Sequence, residues 1–157
     1  MTNIDIANGL IFQALEVEKD TFDERLLSQK KIFLLENLGV EIGYSYNWYI
    51  RGPYSPDLTS YIFANLDMLR EQDLSKYSLS ENVKEKIEIV NGLANKKPDS
   101  LDTSSWYELL ASIFYIRKMW KKNKDDAFPT LIKYKPKYTK DQFDAAVSLL
   151  ENSGYEM

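Results

Sequence analysis

None of the 157 residues is histidine or cysteine. Imidazole and thiolate are the usual protein ligands of zinc and haem iron, so no site of that kind can be assembled from this chain. Ser-His-Asp and Cys-His catalysis are excluded on the same ground, as is thiol redox chemistry. No apolar run approaches the roughly 18 residues of a membrane span. Met1 to Gly9 lacks the basic start of a signal peptide, and Gln13 and Glu16 interrupt the apolar residues that follow. A cytoplasmic protein with no membrane contact is therefore expected. The phosphate-binding patterns GxGxxG and GxxxxGK[ST] are missing, and so is the GxSxG elbow. No Asp or Glu has a Lys two residues later, which removes the acid-x-Lys pair of many histidine-free nucleases. Asp20, Asp23 and Glu24 form the densest acidic cluster, and they are better explained as complements to a helix dipole. The expectation is a protein that is not an enzyme and carries no cofactor and no metal. The one metal site this composition leaves open is a set of carboxylates distant in sequence.

What is present is ordinary globular composition, with 44% hydrophobic and 28% charged residues. The length suits one domain spanning 1–157, and no repeat, low-complexity stretch or long linker divides it. Aromatics reach 13%, including 11 tyrosines, which serve equally well at an interface or at the margin of a core.

Apolar spacing of three and four predicts helices over about 2–18, 21–38, 56–70, 80–94, 105–121 and 139–152. Thr21…Glu24, Ser78…Glu81, Ser105…Glu108 and Thr139…Gln142 read as capping boxes. Ser55-Pro56 reads as an N-cap followed by proline at the first helical position. The helix from Pro56 should bury Leu58, Ile62, Leu66 and Leu69. Trp106 to Ile116 is apolar nearly all round, as a central helix would be. Ala127 to Tyr134 reads as a short helix, Asp125-Asp126 as a turn, and 73–79 as a turn or an edge strand. Between Val40 and Arg51 the period changes to two, the pattern of a strand or a tight pair of strands with one buried face. The fold expected is mainly α with a small β element, a compact helical arrangement in which a winged-helix-like form is one option.

Charge is uneven behind a net −4. Residues 117–140 hold nine basic residues, Arg117, Lys118, Lys121, Lys122, Lys124, Lys133, Lys135, Lys137 and Lys140, against Asp125 and Asp126. Trp120, Tyr134 and Tyr138 lie among them. Such a segment can neutralise phosphates and stack on bases, or meet an acidic protein surface. The plainer alternative is the solvated end of a buried helix, which suits Arg117 to Lys124. It suits Lys133 to Tyr138 less well, because that stretch is regular and short of the apolar residues a core needs.

The most distinctive segment is Trp48-Tyr49-Ile50-Arg51-Gly52-Pro53-Tyr54-Ser55-Pro56-Asp57-Leu58. Gly52 permits a sharp turn and Pro53 fixes the next torsion. Tyr54 and Arg51 are then presented beside a helix start. This is either a recognition corner or a strand-to-helix junction whose aromatics simply pack. Gln29 and Lys30 lie one turn before Phe33 and Leu34, and Gln29 is expected to hydrogen-bond across to the turn at Gly52-Pro53.

Gln29-Lys30-Lys31-Ile32-Phe33-Leu34 followed by Trp48 to Leu58 resembles the Gln-Lys and Gly-Pro-Tyr-Ser pattern of the YwgA-like proteins. These are in turn similar to the Panacea, or SocA-like, antitoxin domain. Trp106 to Tyr115 and the closing segment from Tyr138 to Gly154 also look YwgA-like. Ser28, where the family pattern usually has Leu, and the Lys/Tyr-rich stretch at 133–140 depart from it. What the resemblance implies is a helical, non-catalytic module that binds a protein partner, antitoxin-like or adaptor-like. Its motif residues here would be Gln29, Lys30, Trp48, Tyr49, Arg51, Gly52, Pro53, Tyr54 and Ser55. The alternative reading is a nucleic-acid-binding protein using the basic segment. A homodimer is compatible with either.

Overall fold

The computed structural model describes all of residues 1–157. It is mainly α with one small antiparallel hairpin, in the order α1 (Asn3–Leu15), α2 (Phe22–Glu36), β1 (Asn47–Tyr49), β2 (Gly52–Tyr54), α3 (Pro56–Glu71), α4 (Glu81–Gly92), α5 (Thr103–Lys118), α6 (Lys124–Tyr134) and α7 (Lys140–Asn152). A 3₁₀ turn, Leu93–Lys96, extends α4. No helix is long and apolar enough to cross a membrane.

Local chemistry explains most of the boundaries. Thr21 and Thr139 each accept the backbone N–H three residues on, while Glu24 and Gln142 reach back to the cap backbone. Both boxes thus satisfy donors that a helix start leaves free. Ser55 caps α3 with Pro56 behind it, and Leu58, Ile62, Leu66 and Leu69 are buried as their spacing requires.

Helix α5 runs through the middle. Every residue from Trp106 to Ile116 is buried. It packs most extensively on α2 and also meets α6, α7 and β2. The core is one cluster of 33 buried residues drawn from all seven helices. Long-range hydrogen bonds tie its margins. The Trp106 indole donates to the Leu93 carbonyl at 2.9 Å, and the Tyr155 hydroxyl donates to the Leu34 carbonyl at 2.9 Å. Ser28 is buried and bonds the main chain of Glu18 in both directions, which gives this polar residue a reason to stand on an apolar face.

Several expectations are corrected. Residues 40–51 are not a strand throughout. Only Asn47–Tyr49 pairs, with Gly52–Tyr54. Val40, Ile42, Tyr44, Tyr46 and Trp48 do turn inward in alternation, but Ile50 is 91% exposed. Period two reports an extended chain with one covered face and says nothing of a ladder partner. Here Glu36 accepts the N–H groups of Gly43 and Tyr44 at 2.6 and 3.1 Å instead. Gly52-Pro53, read as the turn, begins the second strand, and the turn itself falls at Ile50-Arg51. Helix α4 is capped by Ser80, not Ser78. Helix α5 starts two residues early because the Asp102 carboxylate accepts the Ser105 N–H at 2.7 Å, so Ser105…Glu108 is not a box. Asp125 and Asp126 belong to the first turn of α6, which Asn123 caps. Of the two options for 73–79 the structure takes the turn, with Leu74 buried beside it.

Candidate functional site

The hairpin packs against α2 and α5, and buried side chains hold it there. Strand β2 has no third strand beside it. Its neighbouring carbonyls are met by polar side chains from two helical regions. Lys30 of α2 donates from Nζ to the Pro53 carbonyl at 2.6 Å. Lys135, just past α6, donates to the Ile50 carbonyl at 2.7 Å. Gln29 spends its whole amide on the junction: Nε2 donates to the Ser55 carbonyl (2.9 Å) and the Thr59 hydroxyl (2.8 Å), and Oε1 accepts the Ser55 N–H (3.1 Å). The expected bridge from Gln29 therefore exists, but it lands on Ser55. Lys30 is the residue that reaches Pro53.

Gly52 lies against α5. Its φ of +90° suits glycine, and a Cβ there would stand 2.6 Å from the Ser112 hydroxyl oxygen. That hydroxyl is fully buried and has no hydrogen-bond partner. One turn earlier on α5 lies Glu108. Its Oε1 accepts the Tyr138 hydroxyl at 2.6 Å and stands 3.7 and 3.6 Å from the ammonium groups of Lys135 and Lys137. Lys30, Lys135 and Glu108 are only 1%, 5% and 6% exposed.

This concentration of charge away from water perturbs the groups in it. Burial pulls Lys30 down to about 7 against the opposing pull of Glu108, with Lys135 and Arg51 adding repulsion. Burial likewise lowers Lys135, again partly offset by Glu108. Burial and the Glu108 carboxylate both push the Tyr138 hydroxyl upward.

On the other side of the hairpin, Trp48 packs against Tyr115 (5.7 Å between ring centroids), Trp120 (4.8 Å) and Tyr134 (5.7 Å). The Lys135 ammonium stands 5.5 Å from the Trp48 ring centre. Tyr49 and Tyr54 meet edge to face at 5.4 Å.

The structure thus brings Gln29, Lys30, Gly52, Pro53 and Ser55 together as a buried anchor, while Tyr49 and Arg51 are exposed above it. It does not keep the whole basic segment at the surface. Lys135 points inward and Tyr138 is core, which corrects the expectation that Lys133 to Tyr138 lies outside the packed interior. Lys137 leans on Glu108, Lys140 pairs with Asp144 at 2.6 Å, and the Arg117 Nε donates to the Lys122 carbonyl at 3.1 Å. Lys118, Lys121, Lys122, Lys124 and Lys133 remain exposed.

Sequence reasoning missed Glu108 by placing it in a capping box. The available signal was a lone acid inside a helix otherwise apolar nearly all round, which demands a buried partner. It also missed a surface row beside the hairpin tip. Phe22 and Phe63 are 55% and 53% exposed. The Arg25 guanidinium lies 5.9 and 5.8 Å from their two ring centres, and that of Arg51 lies 6.0 Å from Phe22.

Two recesses flank Arg51 and Glu108. One, about 230 Å³, reaches Lys30, Asp23, Asp102 and the start of α5. The other, about 270 Å³, lies between Ile50 and the stretch Tyr134–Lys137. A larger cavity of about 510 Å³ lies between α1, α2 and α3, but its cations are already engaged, Lys31 with the Leu15 carbonyl and Arg70 with Val17 and Glu18. No three acidic side chains are grouped as they would be to hold a metal ion. Comparison with protein-family models, with characterised proteins and with solved structures finds no match to this chain.

Proposed function

We propose that this chain is a non-catalytic protein-interaction module, antitoxin-like or adaptor-like, that binds a protein partner through the hairpin tip, the start of α2 and the middle of α3. The observation that carries this reading is the row Ile50, Arg51, Phe22, Arg25, Phe63. Large apolar side chains stand in water there, interleaved with arginines that already lie over the rings. Aromatic residues and arginine are the types that dominate binding energy at interfaces. The row also stands on a fixed support. Lys30 and Lys135 hold two hairpin carbonyls and Gln29 holds the Ser55 carbonyl just after them, so little ordering entropy is left to lose on binding. The resemblance to the YwgA-like and Panacea proteins points the same way.

Affinity purification of the full chain from its native host tests this. The expected result is a stoichiometric protein partner that is lost when Ile50→Asp and Phe63→Ser are combined. A chain that purifies alone at every concentration overturns the reading. A homodimer held by this row would appear in the same experiment as concentration-dependent self-association.

The nucleic-acid reading keeps one supporting observation, the exposed lysines 118, 121, 122, 124 and 133 near Tyr134. It expects binding that falls steeply with salt. Trp48 and Trp120 lend it little, since both pack within a cluster with Tyr115 and Tyr134.

A further inference from the structure

We infer that the recess between the hairpin turn and the α6–α7 connection is a carboxylate-binding site that receives acidic side chains of a peptide segment of the protein partner. This rests on the interaction reading given above. The recess is lined by Arg51, Lys135 and Lys137 with Glu108 at its base, and by Ile50 and Tyr134 at its sides. Three cations therefore face one carboxylate. That carboxylate is already committed, accepting the Tyr138 hydroxyl while holding both ammonium groups within 3.7 Å. The acids Asp23 and Asp102 line the neighbouring recess, and Asp102 is occupied capping α5. Positive charge is thus left uncompensated where part of it is buried, an arrangement that gains from an incoming anion.

The chemistry of the lining selects among anions. A guanidinium offers a planar fork that matches a carboxylate, and two ammonium groups close the other side. A volume of about 270 Å³ admits a carboxylate side chain and its stem. Ile50 on the rim, 91% exposed, offers apolar contact to a neighbouring residue of the same segment. Nucleic acid fits less well, because Trp48 and Trp120 pack against each other and against Tyr115, which leaves Tyr134 as the one exposed ring of the recess on which a base could stack.

The test is a ¹H–¹⁵N NMR titration of the full chain at low salt with end-blocked hexaglutamate, run beside inorganic phosphate and single-stranded oligothymidylate. Hexaglutamate should shift the amides of Ile50, Arg51, Lys135 and Lys137 saturably. Arg51→Gln and Lys137→Gln should each weaken it about fivefold, the size of one partly exposed charge contact, with unchanged melting temperature. Lys76→Gln, on a distant exposed turn, should change nothing. The inference is overturned by shifts scattered over all surface lysines, by phosphate or oligothymidylate occupying these amides more tightly than hexaglutamate, or by no shift at all. Partner capture that needs Ile50 and Phe63 yet ignores Arg51→Gln and Lys137→Gln overturns the carboxylate site alone and leaves the interaction reading standing.

Discussion

Lys30 is a lysine with almost no water around it, and its cost depends on pH. In the unfolded chain it keeps its proton up to about 10.5, and in the fold only up to about 7. Between those values the unfolded chain binds more protons, so stability rises with pH across that window; below about 7 the ammonium is charged in both states and the full burial cost remains. Lys135 acts in the same direction. Urea denaturation between about pH 7 and 9 should show stability rising for the native sequence and rising less for Lys30→Met. The upper limit matters because the buried tyrosines, held protonated by the fold, reverse the slope above about 10. Parallel pH profiles for the two proteins would refute this account of Lys30. Glu108 makes the complementary case. Glu108→Gln leaves Lys135 buried without its carboxylate and should cost about 3–5 kcal/mol in chemical denaturation. Adding Lys135→Met should restore part of that loss, since removing both charges costs less than stranding one.

At the scale of elements, the caps and the hairpin carry the tests. Thr139→Ala removes one side of an intact box and should cost about 1 kcal/mol by denaturant titration, leaving the hairpin region unaffected. Gly52→Ala combines a φ of +90° with a Cβ driven 2.6 Å from the Ser112 oxygen and should cost about 1–3 kcal/mol or more. Adding Ser112→Ala should recover the steric part and leave the backbone part, so a double variant no better than Gly52→Ala would show that the close approach is unimportant. Helices were readable from the sequence because their signals are local: a cap three residues from its partner and apolar positions three and four apart. Where two cap residues competed, Ser78 against Ser80 and Asp102 against Ser105, the nearest box pattern misled. The extent of β structure was not readable, because alternation at 40–48 records burial on helices while pairing depends on a partner strand. Gln29 and the Gly-Pro-Tyr-Ser corner were visible as distinct motifs, and their contact is a tertiary fact that only complementary polar groups hinted at.

Taken over the whole molecule, the basic segment loses its unity. The stretch 117–140 is strongly positive in the sequence, yet the fold turns Lys135 inward and engages Lys137 and Lys140 with acids, leaving Lys118, Lys121, Lys122, Lys124 and Lys133 as its exposed unpaired part. Charge arithmetic along a chain cannot tell a lysine that serves as a buried strut from one that faces solvent. The surface row beside the hairpin escaped notice for a related reason: Phe22, Ile50 and Phe63 are far apart in sequence, and no local pattern marks them as neighbours. Because they are exposed, Ile50→Asp with Phe63→Ser should leave stability within about 0.5 kcal/mol while abolishing partner capture. The packing of Trp48 against Trp120 gives these experiments an optical handle. Two indoles at 4.8 Å and 47° couple their excited states, while the third, Trp106, lies buried under the 3₁₀ turn. The near-ultraviolet circular dichroism of this protein should therefore carry an exciton signal that vanishes in Trp48→Phe. Any ligand or variant that loosens the hairpin from α5 would then announce itself as a loss of that band before the helices begin to melt.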